Sequence, residues 1–223
     1  MKKQLSPLTI LITAIVCCGI MAWVDGWLQP GYAIKSAIKL ICFGALPVAL
    51  CLISGDHTVF RLFRFHKKGI LAALALALGV YGVILGAYFL LRSFIDFSAI
   101  AGSLTENAGV NQDNFLYVSL YISFVNSLLE EFFFRGYLFA GLKQSRGRVF
   151  AYGFSSIAFA LYHVAMMTGW FSLPLMLLAL AGLAAGGMIF NYLNERLGCI
   201  YLSWLVHMFA NFAINTIGFM ILR

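Results

Sequence analysis

Long apolar stretches separated by short polar segments run through the whole chain. A helix needs about 20 apolar residues to cross a hydrocarbon core about 30 Å thick. We therefore predict seven membrane-spanning helices, within a range of six to eight because the polar breaks near Trp170 and Leu197 are short. The predicted spans are 7–24, 33–53, 70–92, 115–142, 149–169, 171–193 and 200–222. The polar stretch 93–114 is typical of a connecting loop.

The composition supports this pattern, because 62% of the 223 residues are apolar and 10% are charged. An average soluble domain has about 25% charged residues. The predicted fold class is all-α, a polytopic transmembrane helix bundle that forms a single membrane-embedded domain, 1–223. No small-x-small cleavage site precedes a polar region, so the first helix is expected to be retained rather than removed as a signal peptide. The five cysteines are scattered without a CxxC pair and are interpreted as buried apolar side chains.

Basic residues concentrate on one side of the predicted bundle. With the N-terminus in the cytosol, the cytosolic side collects Lys2, Lys3, Arg61, Arg64, Lys67, Lys68, Lys143, Arg146, Arg148 and Arg196. The other side has Lys35, Lys39, Arg92 and Arg223, together with the acidic Asp25, Asp96, Glu106 and Asp113. This asymmetry follows the positive-inside rule and predicts a cytosolic N-terminus. The net charge of +7 is therefore a topology signal, and no Arg-rich soluble module is present to bind nucleic acid.

Two adjacent carboxylates, Glu130 and Glu131, lie inside the fourth predicted span. An acidic side chain at bilayer depth costs roughly 3 kcal/mol on insertion scales, so this pair indicates a functional site. The i, i+4 spacing places Glu131 and Arg135 on one helix face and predicts an ion pair. Glu130 points about 100° away and is expected to be free to react. Asn126 shares the face of Glu130 and is expected to hydrogen-bond it.

Two further spans carry polar groups at a matching depth. His163 follows Phe159 by four residues, and His207 precedes Asn211 by four residues. At a rise of about 1.5 Å per residue, Glu130 and His163 lie about 20 Å from the cytosolic ends of their helices, and His207 and Asn211 roughly 10 to 17 Å. We therefore expect the four side chains to form one layer within the bilayer, toward the cytosolic side.

This set of side chains suits peptide hydrolysis by activated water. A buried carboxylate can act as general base while a histidine orients the water, and histidine and asparagine donors can stabilise an oxyanion. The sequence offers no convincing serine or cysteine nucleophile and neither an HExxH nor a GxSxG pattern. A zinc site is the open alternative, since two histidines and a carboxylate form a familiar catalytic ligand set.

Three motifs occur in a specific order, namely EExxxR from Glu130, FxxxH from Phe159 and HxxxN from His207. This order resembles the CAAX-processing and bacteriocin-processing (CPBP, or Abi) intramembrane proteases, relatives of the type II CAAX prenyl endopeptidase. The flanking segments FFFRGYLFAGL, SSIAFALYHV and NERLGCIYLSWLVHMFANF are also similar to that family. The resemblance covers residues 115–215, which we take as the catalytic core. The sequence departs from that family at one place: many members have a proline in the segment that corresponds to 200–206, and this chain has none there.

The resemblance implies an intramembrane endopeptidase that acts on a membrane-anchored protein or peptide. It implies the following roles: Glu130 as catalytic base, His163 as holder of the water, Glu131 and Arg135 as supporting residues, and His207 with Asn211 as the oxyanion pocket. Phe159 and Asn126 would support the same site. The family is described both as metalloprotease and as glutamate-dependent. We favour the glutamate mechanism without a metal cofactor, and keep zinc, held by Glu130, His163 and His207, as the alternative.

The competing hypothesis is a catalytically silent membrane protein, such as a bacteriocin immunity factor or a scaffold. A silent relative would usually lack one of the four polar groups, and all four are present. A transporter would show paired inverted halves with broken helices, and no such symmetry is visible. The short N-terminus and compact size favour a bacterial inner membrane. The sequence does not give the oligomeric state.

Overall fold

The computed structural model describes residues 4–222, so Lys2, Lys3 and Arg223 of the charge analysis lie outside the described residues. Within that range the chain forms helices and no strand, which confirms the all-α fold class. The helices are α1 (Pro7–Leu28), α2 (Tyr32–Ser54), α3 (Ile70–Leu91), α4 (Phe97–Ala108), α5 (115–146), α6 (Arg148–Met167), α7 (Leu173–Leu197) and α8 (Ile200–Ile221). A short 3₁₀ helix, Val59–Phe63, lies between α2 and α3.

Six of the described helices, α1, α2, α3, α6, α7 and α8, are long and apolar enough to cross a membrane. Helix α5 is longer, about 48 Å at 1.5 Å per residue, and it carries the two glutamates and Arg135. These seven helices correspond to the seven predicted spans. The prediction of a loop over 93–114 was wrong in its centre, because helix α4 forms there, buries Ile100 and packs against α8.

Helix α5 occupies the centre of the bundle, and its residues 130–139 are all buried. Aromatic rings tie it to its neighbours: Phe133 stacks on Phe43 of α2 at 4.1 Å, and Phe134 meets Phe159 of α6 edge-on at 5.3 Å between ring centroids. Part of α5, Glu131–Ala140, is π-helical, as is the segment Leu40–Ala45 of α2. Such wider turns often occur at functional sites, and these two lie directly beside the polar groups described below.

One end of the bundle, called here the basic end, comprises residues 4–6, the connection 55–69 and the turns at Gly147 and Gly198. Asp56 joins two of these segments, since its Oδ2 accepts from the Leu5 N–H at 3.0 Å and its Oδ1 from the Thr58 N–H at 2.9 Å. Burial raises the pKa of Asp56, but the hydrogen bonds from Thr58 and Leu5 outweigh it and hold the pKa below its ordinary value.

Helices α6 and α7 approach each other closely at one glycine. A Cβ atom on Gly187 would lie 3.0 Å from the Cα atom of Ser156, so only glycine fits this crossing without a shift. Gly182, Gly186 and Gly187 form a face of small side chains, and the GxxxG spacing of the first two predicts close helix packing. Around those two positions the structure has open space instead. Helix α7 therefore contacts α6 at Gly187 and not at Gly182 or Gly186.

Candidate active site

Glu130 is buried on α5 and forms an ion pair with Lys39 of α2. The Lys39 ammonium donates to Oε1 of Glu130 and also to the side-chain oxygen of Asn126. Asn126 donates in turn to the same Oε1 atom at 3.0 Å, which confirms the hydrogen bond expected from their i, i+4 spacing. Glu130 lies outside the Glu131–Arg135 pair, as expected, but a lysine from a distant helix, which the sequence did not indicate, pairs with it.

Glu131 accepts hydrogen bonds from two residues of α8. Ser203 donates to its Oε2 at 2.6 Å, and Nδ1 of His207 lies 3.1 Å from its Oε1. Asn194 of α7 donates to the Ser203 hydroxyl at 2.6 Å and extends the network by one helix. Glu131 thereby links three helices and fixes the side of α8 that faces α5.

Arg135 pairs with Glu131 as the spacing predicted, with Nε 3.5 Å from Oε1. Both side chains are fully buried. Among the described residues the guanidinium nitrogens have no hydrogen-bond partner. The guanidinium lies instead 4.2 Å from the ring centroid of Phe159 and 4.9 Å from that of Phe190. Cation–π contact and the neighbouring carboxylate therefore stabilise this buried charge.

His207 lies between the two glutamates. Its Nδ1 faces Glu131, and its Nε2 lies 3.6 Å from Oε2 of Glu130. Because an ionised carboxylate only accepts hydrogen bonds, the contact with Glu131 requires the hydrogen on Nδ1. Phe190 stacks on the imidazole at 5.1 Å between ring centroids. The ring is thus held with Nε2 directed at Glu130.

His163 lies between two helical parts of α6, Arg148–Tyr162 and Val164–Met167. Its Nδ1 lies 2.7 Å from the Phe159 carbonyl oxygen, which can only accept, so the hydrogen of this bond is on Nδ1 and Nε2 is left as the acceptor nitrogen. Tyr162 contacts both His163, at 4.8 Å between ring centroids, and the Lys39 ammonium, at 4.9 Å from its ring centroid, so His163 lies next to the Lys39–Glu130 pair. Phe159 packs against His163, His207 and Arg135 together.

Asn211 is buried one turn after His207 on α8 but does not join the glutamate cluster. Its amide Nδ2 donates to the Ile122 carbonyl oxygen of α5 at 3.2 Å. One turn further, Asn215 makes a similar bond to the Ser119 carbonyl oxygen at 3.1 Å. Both amides therefore fasten α8 to the first half of α5. The oxyanion role of Asn211 stays a prediction.

The depth of these groups follows from counting along the helices. Glu130, Lys39 and His163 each lie about 23 Å from the basic end of their helix, and His207 about 10 Å. His163 is only four residues from Met167, where α6 ends. Of the residues predicted to lie nearer the basic end, His207 does so and His163 does not.

An apolar cavity of about 370 Å³ lies beside α8, at the basic end. It is lined by Phe63, Phe65, Ile70, Tyr201, Leu202, Trp204, Leu205 and Met208. Glu130 is 2% exposed and His207 6% exposed, and neither lines this cavity. The Glu130 and His207 side chains are therefore almost completely shielded from the surroundings of the bundle.

The donor set for zinc does not converge. Over the described part of the chain, no three His, Cys, Asp or Glu side chains are placed to hold a metal ion. The Lys39 ammonium also contacts the Glu130 carboxylate, and its positive charge would repel a divalent cation bound there. In this arrangement the described residues do not fit a zinc ion.

Three residues of the cluster were not singled out from the sequence as site residues. Ser203 and Asn194 carry no signal of their own, because short polar residues are common in membrane helices. Lys39 was assigned to the outer side of the membrane, although it lies within the second predicted span. An ionisable residue inside a membrane helix is by default a functional candidate, and this signal could have found it.

Residues 112–213 match the family model for Type II CAAX prenyl endopeptidase Rce1-like. The match begins shortly before α5, ends within α8 and includes all three motifs, whereas Lys39 lies outside it. Comparison with curated proteins and with solved structures gave no match. The family match confirms the resemblance inferred from the motifs, and the apolar helices support an integral membrane protein. Residues 112–213 are therefore similar to the CAAX-type family of intramembrane proteases.

Proposed function

We propose that this protein is an intramembrane endopeptidase that hydrolyses a peptide bond of a membrane-associated or membrane-anchored protein or peptide. Water activated by Glu130 is the nucleophile. The observation that carries the proposal is the facing pair of Glu130 Oε2 and His207 Nε2, which are 3.6 Å apart in a buried cluster. The expected location is a bacterial inner membrane with the N-terminus in the cytosol.

A water molecule about 2.8 Å from both atoms would complete a triangle with them. Glu130 takes one proton from this water while the water oxygen forms a bond to the scissile carbonyl carbon. The C–N bond then breaks, and Glu130 returns the proton to the leaving nitrogen. His207 orients the water, and its position is held by Glu131 on the opposite side of the ring.

Two other residues have supporting roles in this scheme. His163 is a second group that can hold water near Glu130, because its Nε2 is free to accept a hydrogen bond. Asn211 would have to exchange its bond to the Ile122 carbonyl for one to the substrate before it could stabilise an oxyanion.

The test compares membranes from cells that carry the wild-type protein with membranes from cells that carry Glu130→Gln. Peptide termini are identified by mass spectrometry, with equal protein levels checked by immunoblotting. New termini that appear only with the wild type support the proposal and identify the substrate. Identical sets of termini would contradict it and favour the silent immunity factor or scaffold.

A further inference from the structure

Lys39 is the polar residue of the cluster that the family match does not cover. It is 4% exposed, and a lysine is almost never so deeply buried unless it is paired. Its ammonium donates to both Glu130 and Asn126 and lies 4.9 Å from the ring centroid of Tyr162. Three helices, α2, α5 and α6, therefore meet at this one charge.

The two oxygens of Glu130 have different surroundings. Oε1 accepts from Lys39 and from Asn126, whereas Oε2 faces Nε2 of His207. Two donors on Oε1 fix the plane of the carboxylate. That plane directs Oε2 to the place where the water of the proposed reaction would be activated.

We propose that Lys39 is a positioning residue for Glu130. It holds the carboxylate ionised and turned so that Oε2 points to the reacting water, and Asn126 completes the clamp on Oε1. This inference rests on the proposed function and extends the working site to α2. The first half of the chain thus contributes a residue on which the chemistry depends.

The ammonium also offsets the burial of Glu130. A carboxyl group in an apolar interior favours its protonated form unless a nearby cation stabilises the anion. Lys39 is the cation in direct contact with Glu130. Without it, Glu130 would hold a proton and could not accept another from water.

Lys35 provides a matched control. It lies one helical turn before Lys39 on α2 and also forms an ion pair, with Asp25 of α1, outside the cluster. The variants to compare are Lys39→Met, Lys39→Gln, Lys39→Arg and Lys35→Gln. The probe is an internally quenched peptide with an S-farnesylated cysteine three residues from its C-terminus, cleaved by purified protein in lipid nanodiscs.

We expect Lys39→Met and Lys39→Gln to lower kcat by about 100-fold, the size of a typical general-base contribution. KM should stay within about threefold of the wild type, because the lysine acts on the base and not on substrate binding. Lys39→Arg should recover most of kcat, and Lys35→Gln should match the wild type. Unchanged kcat in Lys39→Met or Lys39→Gln would overturn the proposal.

Infrared spectroscopy tests the same inference without a substrate. The infrared band of the Glu130 carboxyl group is identified as the one that disappears in Glu130→Gln. In Lys39→Met and Lys39→Gln the band should move from the carboxylate to the protonated carboxyl region, and in Lys39→Arg and Lys35→Gln it should stay. An unmoved band in folded Lys39→Gln would overturn the role of Lys39. A wild type that produces no cleavage with the band shift intact would count against the proposed function alone.

Discussion

The imidazole of His207 is held at Nδ1 by Glu131, 3.1 Å away, on a different helix. This contact fixes the hydrogen on Nδ1 and turns Nε2 toward Glu130. The adjacent glutamates therefore have different positions in one network: Glu130 faces the reacting side of the imidazole, and Glu131 supports the opposite side. Because the two residues are neighbours on α5, a shift of either would disturb both contacts of the histidine.

The two glutamates should respond differently to amide replacement. Glu131→Gln leaves Arg135 as a buried charge that cannot lose its proton, so we expect a loss of stability of about 3–5 kcal/mol. Glu130→Gln should cost less, because the amide oxygen still accepts from Lys39 and a buried lysine can become neutral. It should nevertheless abolish cleavage, since an amide does not accept the proton of water. Thermal unfolding and cleavage are measured for both variants. Equal stability of the two would contradict this assignment.

Ser203→Ala should destabilise the protein although the residue is outside the recognised motifs. The change leaves Oε2 of Glu131 without its donor, and the Asn194 amide keeps only the Phe190 carbonyl oxygen as acceptor. A buried polar group without a partner costs about 1–3 kcal/mol. Thermal unfolding measures the effect. Ser145→Ala is the control, because its hydroxyl bonds only to backbone oxygens at the basic end. A loss in Ser145→Ala as large as in Ser203→Ala would contradict the role of the network.

Local relationships could be predicted from the sequence because helix geometry fixes them. The pairs Asn126 with Glu130 and Glu131 with Arg135 are both i, i+4 neighbours, and both are present. The ion pair of Lys39 with Glu130 joins residues 91 positions apart. It depends on how α2 packs against α5, and a single sequence does not contain that information.

The glycines of α7 show the same limit at the level of one helix face. The spacing of Gly182 and Gly186 indicates a small surface, but not which side of that surface meets α6. In the structure the crossing lies one residue further, at Gly187. A shift of one residue turns the contact by about 100°, so motif spacing alone does not fix the contacting residue.

Gly187→Ala should destabilise the bundle, whereas Gly186→Ala should not. The added methyl group at position 187 would lie 3.0 Å from a backbone atom of Ser156, so α6 and α7 must move apart. Overpacking of this kind costs about 1–3 kcal/mol. At position 186 the methyl group meets open space. Thermal unfolding in detergent should show a lower Tm only for Gly187→Ala, and equal Tm values would contradict the observed crossing.

Asp56 should make stability depend on pH. Its pKa is lowered in the folded protein, so its contribution is complete above the unfolded pKa of about 3.9 and is lost as the pH falls through the folded value. Asp56→Asn removes the charged acceptor of the Leu5 and Thr58 N–H groups. The variant should have a lower Tm than the wild type at pH 7, and the difference should shrink under strongly acidic conditions. A difference in Tm that is constant with pH would contradict an ionised Asp56.

Chelation should leave cleavage intact. A zinc mechanism needs Glu130, His163 and His207 around one ion at about 2.0–2.2 Å, but Lys39 already places a positive charge on Glu130. The Nδ1 atoms of both histidines are also engaged, with Glu131 and with the Phe159 carbonyl. Protein treated with EDTA and 1,10-phenanthroline should therefore cleave the substrate found by the comparison of termini at the untreated rate. Metal content is measured in the same samples. Stoichiometric zinc in the active protein, together with activity that is lost on chelation and restored by zinc, would overturn the glutamate mechanism. Lys39 would then have to move away from Glu130 when the ion binds.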